Sequence, residues 1–305
     1  MWYNINRTGR LGNRLFSRAH VYAAALEFGE TVIDWGLIDI KEHFPNIKEK
    51  RLPIYPFNRS INITNLSSKL LSRELTLKTI NKFRPRMTGE FHNFWNEHYG
   101  VGDKERMRLD STKFKIFCSK HKNIILNGYK LRCPNWVAKH RIEICKYFEV
   151  PQSYLYKWNK LVLNWKNNYS EIIGVHMRRG DFKTAMRGDF YFSPEEYAST
   201  LRKIKDINFK DNLVILFSED RFTTFNSWEK VKNAFSDFNF LLNNGSILDD
   251  LSGLIACDKI IGPHTSTFSR WAAYAGNKEW AGIGRESLHD DIPLEFSRCP
   301  IPWNY

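Results

Sequence analysis

The sequence is most informative at first through what it lacks. Its 305 residues contain no run of eighteen apolar residues, so no transmembrane helix or integral membrane segment is expected. Residues 1–12 carry Arg7 and Arg10 but no apolar stretch of the kind a signal peptide needs. The five cysteines (Cys118, Cys133, Cys145, Cys257, Cys299) are odd in number and have no metal-ligand spacing. They read as free thiols in a reducing, cytoplasmic setting, the alternative being a luminal chain that has lost an N-terminal anchor. No Asp-x-Asp occurs, so that common metal-holding pair is absent from the sequence. The net charge is +13, yet no block of five or more Lys/Arg occurs, and neither zinc-finger spacing nor an RNP-type motif is found. Nucleic acid is therefore not the expected partner, and most lysines read as a solvated surface.

What is present is a globular composition, 42% apolar and 15% aromatic, enough for one large or two medium domains. The chain is organised around Ile172-Ile173-Gly174-Val175-His176-Met177-Arg178-Arg179-Gly180-Asp181. A short apolar run predicts a buried strand, and the strand breaks into a charged turn. Alternation puts His176 and Arg178 on one face, Met177 and Arg179 on the other. Guanidiniums at the end of a buried strand call for an anion, and Arg offers a fork matched to phosphate. One reading is a phosphate-bearing ligand held by Arg178, with Arg179 and Asp181 shaping the loop; the other is a surface Arg–Asp pair that closes a loop.

At the N-terminus, a short strand over Trp2-Tyr3-Asn4-Ile5 leads into a glycine-bearing turn with Gly9, Gly12, Asn13 and Arg14. A helix from Leu15 to Gly29 and a strand at Thr31–Asp34 follow, a unit that implies parallel sheet. Such a turn is an anion site at a helix N-terminus or an ordinary tight connection. Residues 36–120 are interrupted by Pro53, Pro56 and Pro85; a helix is expected over Ser67–Phe83, and Phe91, Phe94, Trp95 and Tyr99 form an aromatic cluster read mainly as core. One amphipathic helix is expected over Trp136–Phe148 and another over Tyr154–Lys166. The boundary is placed after the polar 167–170 stretch, giving domains 1–168 and 169–305.

The second half repeats the α/β order. Ser193-Pro194-Glu195-Glu196 predicts a capping box, which gives Glu196 a structural role. Strands are expected at Leu213–Ser218, Phe238–Leu242 and Lys259–Gly262, with a helix over Ile247–Ala256. The last strand runs into Thr265, Ser266 and Thr267, three hydroxyls at a strand-to-helix turn that serve either as a phosphate cradle or as plain caps.

These residues carry a resemblance. His176-Met177-Arg178-Arg179-Gly180-Asp181 resembles the His-x-Arg-Arg-Gly-Asp motif of α-1,2-fucosyltransferases and is similar to the corresponding motif of α-1,6- and protein O-fucosyltransferases. Gly9-Arg10-Leu11-Gly12-Asn13-Arg14-Leu15-Phe16 resembles their N-terminal motif, Gly128-Tyr129 fits the α-1,2 group, and Asp249 through Gly262 with Ser266–Ala272 resembles their last block. The blocks come in order between residues 4 and 276.

The resemblance implies an α/β, GT-B-like fold with two Rossmann-like domains facing a cleft. It implies an N-terminal acceptor side and a C-terminal nucleotide-sugar-binding domain. It further implies inverting, metal-independent transfer of fucose from a GDP-fucose donor to a glycan acceptor, with no cofactor. Arg178 would hold the β-phosphate and His176 would lie near the nucleotide. Asp250 would read guanine, and Thr265, Ser266 and Thr267 would donate to phosphates. Arg178 and Asp181 are the candidate catalytic residues. Arg179, Gly12, Asn13 and Arg14 join the binding set, although Arg14 stands where α-1,2 enzymes usually have Gln, and Arg270 where they have Trp. No residue is singled out as base: Asp34, Asp181, Asp189 and Glu195 qualify by position only, and each better suits a cap or ion pair. Transfer from another nucleotide sugar, a non-catalytic nucleotide- or carbohydrate-binding protein and a nucleic-acid-binding protein are the alternatives.

Overall fold

The computed structural model describes residues 1–7, 9–48, 54–55, 91–93, 107–121, 123–126, 128, 131–179, 191–204, 208, 210–219, 225–284 and 296–298. The chain forms two compact units, one over Met1–Glu149 and a second that begins at Val150. The expected boundary at 168/169 falls one helix later than this division. The helix Gln152–Trp165 belongs to the second unit because its buried Trp158 ring lies 5.4 Å from Phe217, and Lys157 reaches Asp249 at 2.6 Å.

The first unit is built on β1 (Trp2–Asn4), α1 (Leu11–Glu27) and β2 (Val32–Asp34). Strands β1 and β2 pair in parallel, as a strand–turn–helix–strand unit requires. The sheet continues with β3 (Ile54–Tyr55), antiparallel to β2, and β4 (Phe91–Asn93) and β6 (Asn123–Leu126), in the order β3-β2-β1-β6-β4. A second small sheet pairs β5 (Met107–Arg108) with β7 (Leu131–Arg132). Helix α1 starts earlier than composition suggested and is buried around nearly its whole circumference, its Ala23-Ala24-Ala25 run letting neighbours approach closely.

The short helix α2 (Pro45–Lys48) and α3 (Thr112–Lys120) follow in the chain. The single helix expected over 136–148 is two, α4 (Pro134–Lys139) and α5 (Arg141–Tyr147). His140 leaves helical backbone geometry as its ring reaches the Glu27 carboxylate, 2.6 Å away. The helix expected at 67–83, the side chains of the 91–99 aromatic cluster and Tyr129 lie outside the described residues.

The second unit begins with α6 (Gln152–Trp165). Its sheet holds β8 (Glu171–His176), β9 (Asn212–Phe217), β10 (Asn239–Asn243), β11 (Lys259–Pro263), β12 (Glu279–Ile283) and the edge strand β13 (Ser297–Arg298). The order is β10-β9-β8-β11-β12-β13, with only β13 antiparallel. The chain therefore winds outward from β8 in one direction, returns, and continues from β11 in the other, the doubly wound arrangement. The helices are α7 (Pro194–Arg202), α8 (Phe225–Ala234), α9 (Ile247–Ala256) and α10 (Thr267–Gly276). Ile173, Val175 and Met177 alternate along β8 into one core with Tyr197, Leu201, Val231 and Phe235. Helix α10 stops at Asn277, which adopts the left-handed conformation (φ 53°).

Candidate active site

In a doubly wound sheet the crevice beyond the carboxyl ends of the strands opens where the strand order reverses. Here that point lies between β8 and β11, which pair in parallel from Lys259↔Ile173 to Ile261↔Val175. Beyond β8 come His176, Met177, Arg178 and Arg179; beyond β11 come His264, Thr265, Ser266 and Thr267. The two stretches singled out by sequence flank the one place where this topology predicts a ligand.

The faces divide as alternation requires. Met177 is fully buried in the core, while His176 turns to the other side, where its Nδ1 lies 3.0 Å from Ser266 Oγ and its ring 5.2 Å from that of Phe268. Burial, aided by the nearby Arg178 charge, drives the His176 imidazole down to about 3, so it is neutral. Arg178 is 9% exposed. Its place is set by Tyr197, whose hydroxyl donates to the His176 carbonyl (3.2 Å) and accepts from the Arg178 amide (3.2 Å).

Tyr197 was not foreseen, yet its support was. Ser193 accepts from the Glu196 amide and Glu196 from the Ser193 amide, the expected capping box. Phe192 before the cap meets Tyr197 edge-on with centroids 6.0 Å apart, a hydrophobic staple. Cap and staple together aim one hydroxyl at the end of β8. Arg179 donates to Tyr191 Oη at 2.6 Å and lies over that ring at 5.3 Å. Gly180, Asp181 and Asp189 lie outside the described residues.

Across the switch point Ser266 is the N-cap of α10, accepting from the Ser269 amide at 3.4 Å. Ser269 Oγ donates to the Ser266 carbonyl and accepts from Trp280 Nε1. This buried relay fixes the turn. Ser266 is thus a cap and a partner of His176 at once, so the two readings of the hydroxyls are not exclusive. Thr265 Oγ1 is buried with no hydrogen-bond partner among the described residues, a cost unless something is bound there. Thr267 is 3% exposed at the first position of the helix. Arg270 stacks over Trp280 at 4.4 Å from the ring centroid.

The acidic pair on α9 separates cleanly. Asp249 completes a capping box with Ser246 and takes Lys157 Nζ at 2.6 Å. Asp250, beside it, accepts from Asn243 Nδ2 at 2.7 Å, at the carboxyl end of β10. That end lies on the same sheet edge as His176 and two strands away, about 10 Å by strand spacing. Asp258 instead pins the start of β8, accepting from the Ile172 amide (2.9 Å) and Lys166 Nζ (2.6 Å).

In the first unit the glycine turn enters α1 at Leu11, with no side-chain cap and no acidic residue in the first turn. Gly9 has φ +86°, and a Cβ there would come within 2.6 Å of the Asn13 side chain. Gly12 is buried at the second position of the helix and Asn13 follows it. Arg14 is engaged with Gly9 O and with Asp39. Asp34 is fully buried against Arg18, and Glu195 is an exposed first-turn acid of α7.

Two comparisons bear on this arrangement. The family model described as Glycosyl transferase family 11 matches residues 146–293, just under half of the chain and nearly all of the second unit. Over that stretch the chain is similar to Glycosyl transferase family 11. Solved structures share its fold along its length. An Arabidopsis thaliana FUT1 mutant in complex with GDP is 13% identical with a TM-score of 0.53, covering 97% of this chain and 73% of that one. The Bradyrhizobium fucosyltransferase NodZ is 16% identical with a TM-score of 0.55, covering 98% and 99%; NodZ described as an α-1,6-fucosyltransferase soaked with GDP-fucose gives 16% and 0.53. The fold of the chain is accordingly α/β and GT-B-like. No curated protein matches its sequence. Among the described residues no helix is long and apolar enough to cross a membrane, and Cys118, Cys133, Cys145 and Cys257 form no disulfide with one another.

Proposed function

We propose that the protein transfers fucose from GDP-fucose to a glycan hydroxyl, with inversion at the anomeric carbon and without a metal ion or other cofactor. The observation that carries this reading is the junction at the switch point: His176 on Ser266, and Arg178 fixed by Tyr197 two residues further on. The acceptor oxygen attacks the anomeric carbon, the bond from that carbon to the β-phosphate oxygen breaks, and GDP leaves with the electron pair. The hydroxyl proton passes to a base or to solvent.

Negative charge grows on the leaving phosphate, so fixed donors there lower the barrier. Arg178, the first-turn amides of α10 and the hydroxyls of Thr265, Ser266 and Thr267 are suited to that task, and the unpartnered Thr265 Oγ1 is the group most in need of a ligand. His176, held neutral, lends no charge of its own and packs beside the nucleotide. Asp250, oriented by Asn243, offers a carboxylate to the two adjacent donors of guanine, which argues for GDP over other diphosphates. The related structures with GDP and GDP-fucose support the same donor.

Arg179, which donates to Tyr191 Oη, and Asp181 stay in the candidate set. The first unit, with its Gly9–Arg14 turn, is assigned to the acceptor side. Cysteines with no disulfide among the described residues suit a reducing, cytoplasmic setting. The test is transfer from GDP-fucose to a panel of glycans in excess EDTA, with the product's anomeric configuration read by NMR. Undiminished transfer with inverted configuration is expected. Retention of configuration, preference for a UDP-sugar, or loss in EDTA restored by Mn²⁺ would each overturn the corresponding part of the reading.

A further inference from the structure

We infer that Arg14 and Arg18 are positioning residues that brace the Gly9–Asn13 turn from its two sides. They stand one helical turn apart on α1, at spacing i,i+4. Arg14 forms the outer arm. Its Nε donates to the Gly9 carbonyl at 3.0 Å, and its Nη1 donates to both Asp39 carboxylate oxygens, at 2.8 and 2.7 Å. Arg18 forms the inner arm and is fully buried. Its Nη2 donates to the Asn6 carbonyl just before the turn, and its Nη1 to the Arg14 carbonyl (3.4 Å) just after it. Asp34 holds this guanidinium at 3.3 Å and is itself fixed by Asn4 Nδ2 (2.8 Å) and Tyr22 Oη (2.9 Å).

A buried ion pair is weak evidence for stability, because desolvating two charges offsets most of their attraction. What this pair does provide is geometry. It ties together the two ends of a turn that passes through positive φ at Gly9 and enters α1 without a side-chain cap. The fit is close: a Cβ at Gly36 would overlap both Arg18 Nη2 and the Asn6 carbonyl. Arg14, expected from the sequence to touch substrate, has the Asp39 carboxylate as its anion already. The inference rests on the proposal that this turn serves the transfer reaction.

The test sets Asp39→Asn against Arg14→Met and Arg18→Lys in the full-length chain. It reads amide hydrogen exchange over residues 10–14, transfer kinetics and GDP affinity. If Arg14 braces, Asp39→Asn and Arg14→Met act alike: exchange over 10–14 rises by about tenfold or more, kcat falls by a similar factor, and GDP affinity stays within about twofold. If Arg14 instead contacts substrate, Asp39→Asn frees its guanidinium and keeps or raises turnover while Arg14→Met loses it, and the inference is overturned. Arg18→Lys, which keeps the charge but not the fork, is expected to act in the same direction more strongly. Should it fail to fold, the two variants on the outer arm decide, since Asp39 is 46% exposed. Exchange unchanged in every variant refutes the brace even in a protein with no detectable transfer. Variant-dependent exchange in such a protein upholds the brace and counts against the transfer reading alone.

Discussion

In the second unit β8 and β9 are six residues long and buried nearly end to end, whereas in the first unit β1 and β2 are three residues long and close on Asn4 and Asp34. The second sheet keeps an apolar frame and holds its polar groups at the strand ends, where His176, Ser266 and the Arg178 amide meet fixed partners. The first sheet takes charge into its interior and uses Arg18–Asp34 as internal scaffolding. The contrast suggests a division of labour. A long, well-packed sheet presents donors to a polyanion with little freedom, while a shorter one relies on cross-links to set the shape of a single turn.

The sharpest way to break that division is to disturb the second unit and look for lost nucleotide binding. Asp250→Ala should weaken GDP binding by on the order of 2–5 kcal/mol, the usual cost of losing a charged hydrogen-bonding pair. Asp249→Ala in the same calorimeter should leave GDP binding nearly unchanged and cost only about 1 kcal/mol of stability, as loss of a cap does. Equal effects would erase the distinction between guanine reader and cap.

Arg178→Lys keeps charge but loses the fork, and turnover should fall by about tenfold or more with an unaltered far-UV spectrum. A near wild-type rate would remove Arg178 from the leaving-group role.

A smaller effect concerns His176. Its folded value of about 3 lies below that of an ordinary imidazole, so between the two the unfolded chain binds a proton that the folded chain does not. Stability from this group is therefore complete above about pH 6.5 and is lost as pH falls towards 3, at up to about 1.4 kcal/mol per pH unit. His176→Gln should flatten the wild-type decline in stability between about pH 6 and 4. Parallel declines would show that His176 is not held neutral in the folded protein.

The parts of this account that were legible in the sequence are those fixed by short-range signals. The apolar runs Ile172–Val175 and Leu213–Phe217 became buried strands, and Ser193 and Glu196 became a capping box. What escaped is set by partners distant in sequence. Tyr197 reaches back 21 residues to the His176 carbonyl, and Arg14 reaches 25 residues forward to Asp39. His140 is drawn out of a helix by Glu27, 113 residues away. The domain boundary moved for the same reason, since Trp158 finds Phe217 only in the fold. Asn243, which orients Asp250, ends an ordinary strand and bears no mark of its role.

The central claim is that the second unit holds a guanine nucleotide through Asp250 and its diphosphate through Arg178 and the α10 turn. The measurement that tests it most directly is calorimetric titration of the wild-type protein with GDP, UDP and ADP under one set of conditions. The account predicts clear binding of GDP and at least about tenfold weaker binding of the other two, a difference of about 1.4 kcal/mol or more. Equal affinity for all three would mean that only the phosphates are recognised, and would contradict both the Asp250 contact and the GDP-fucose donor.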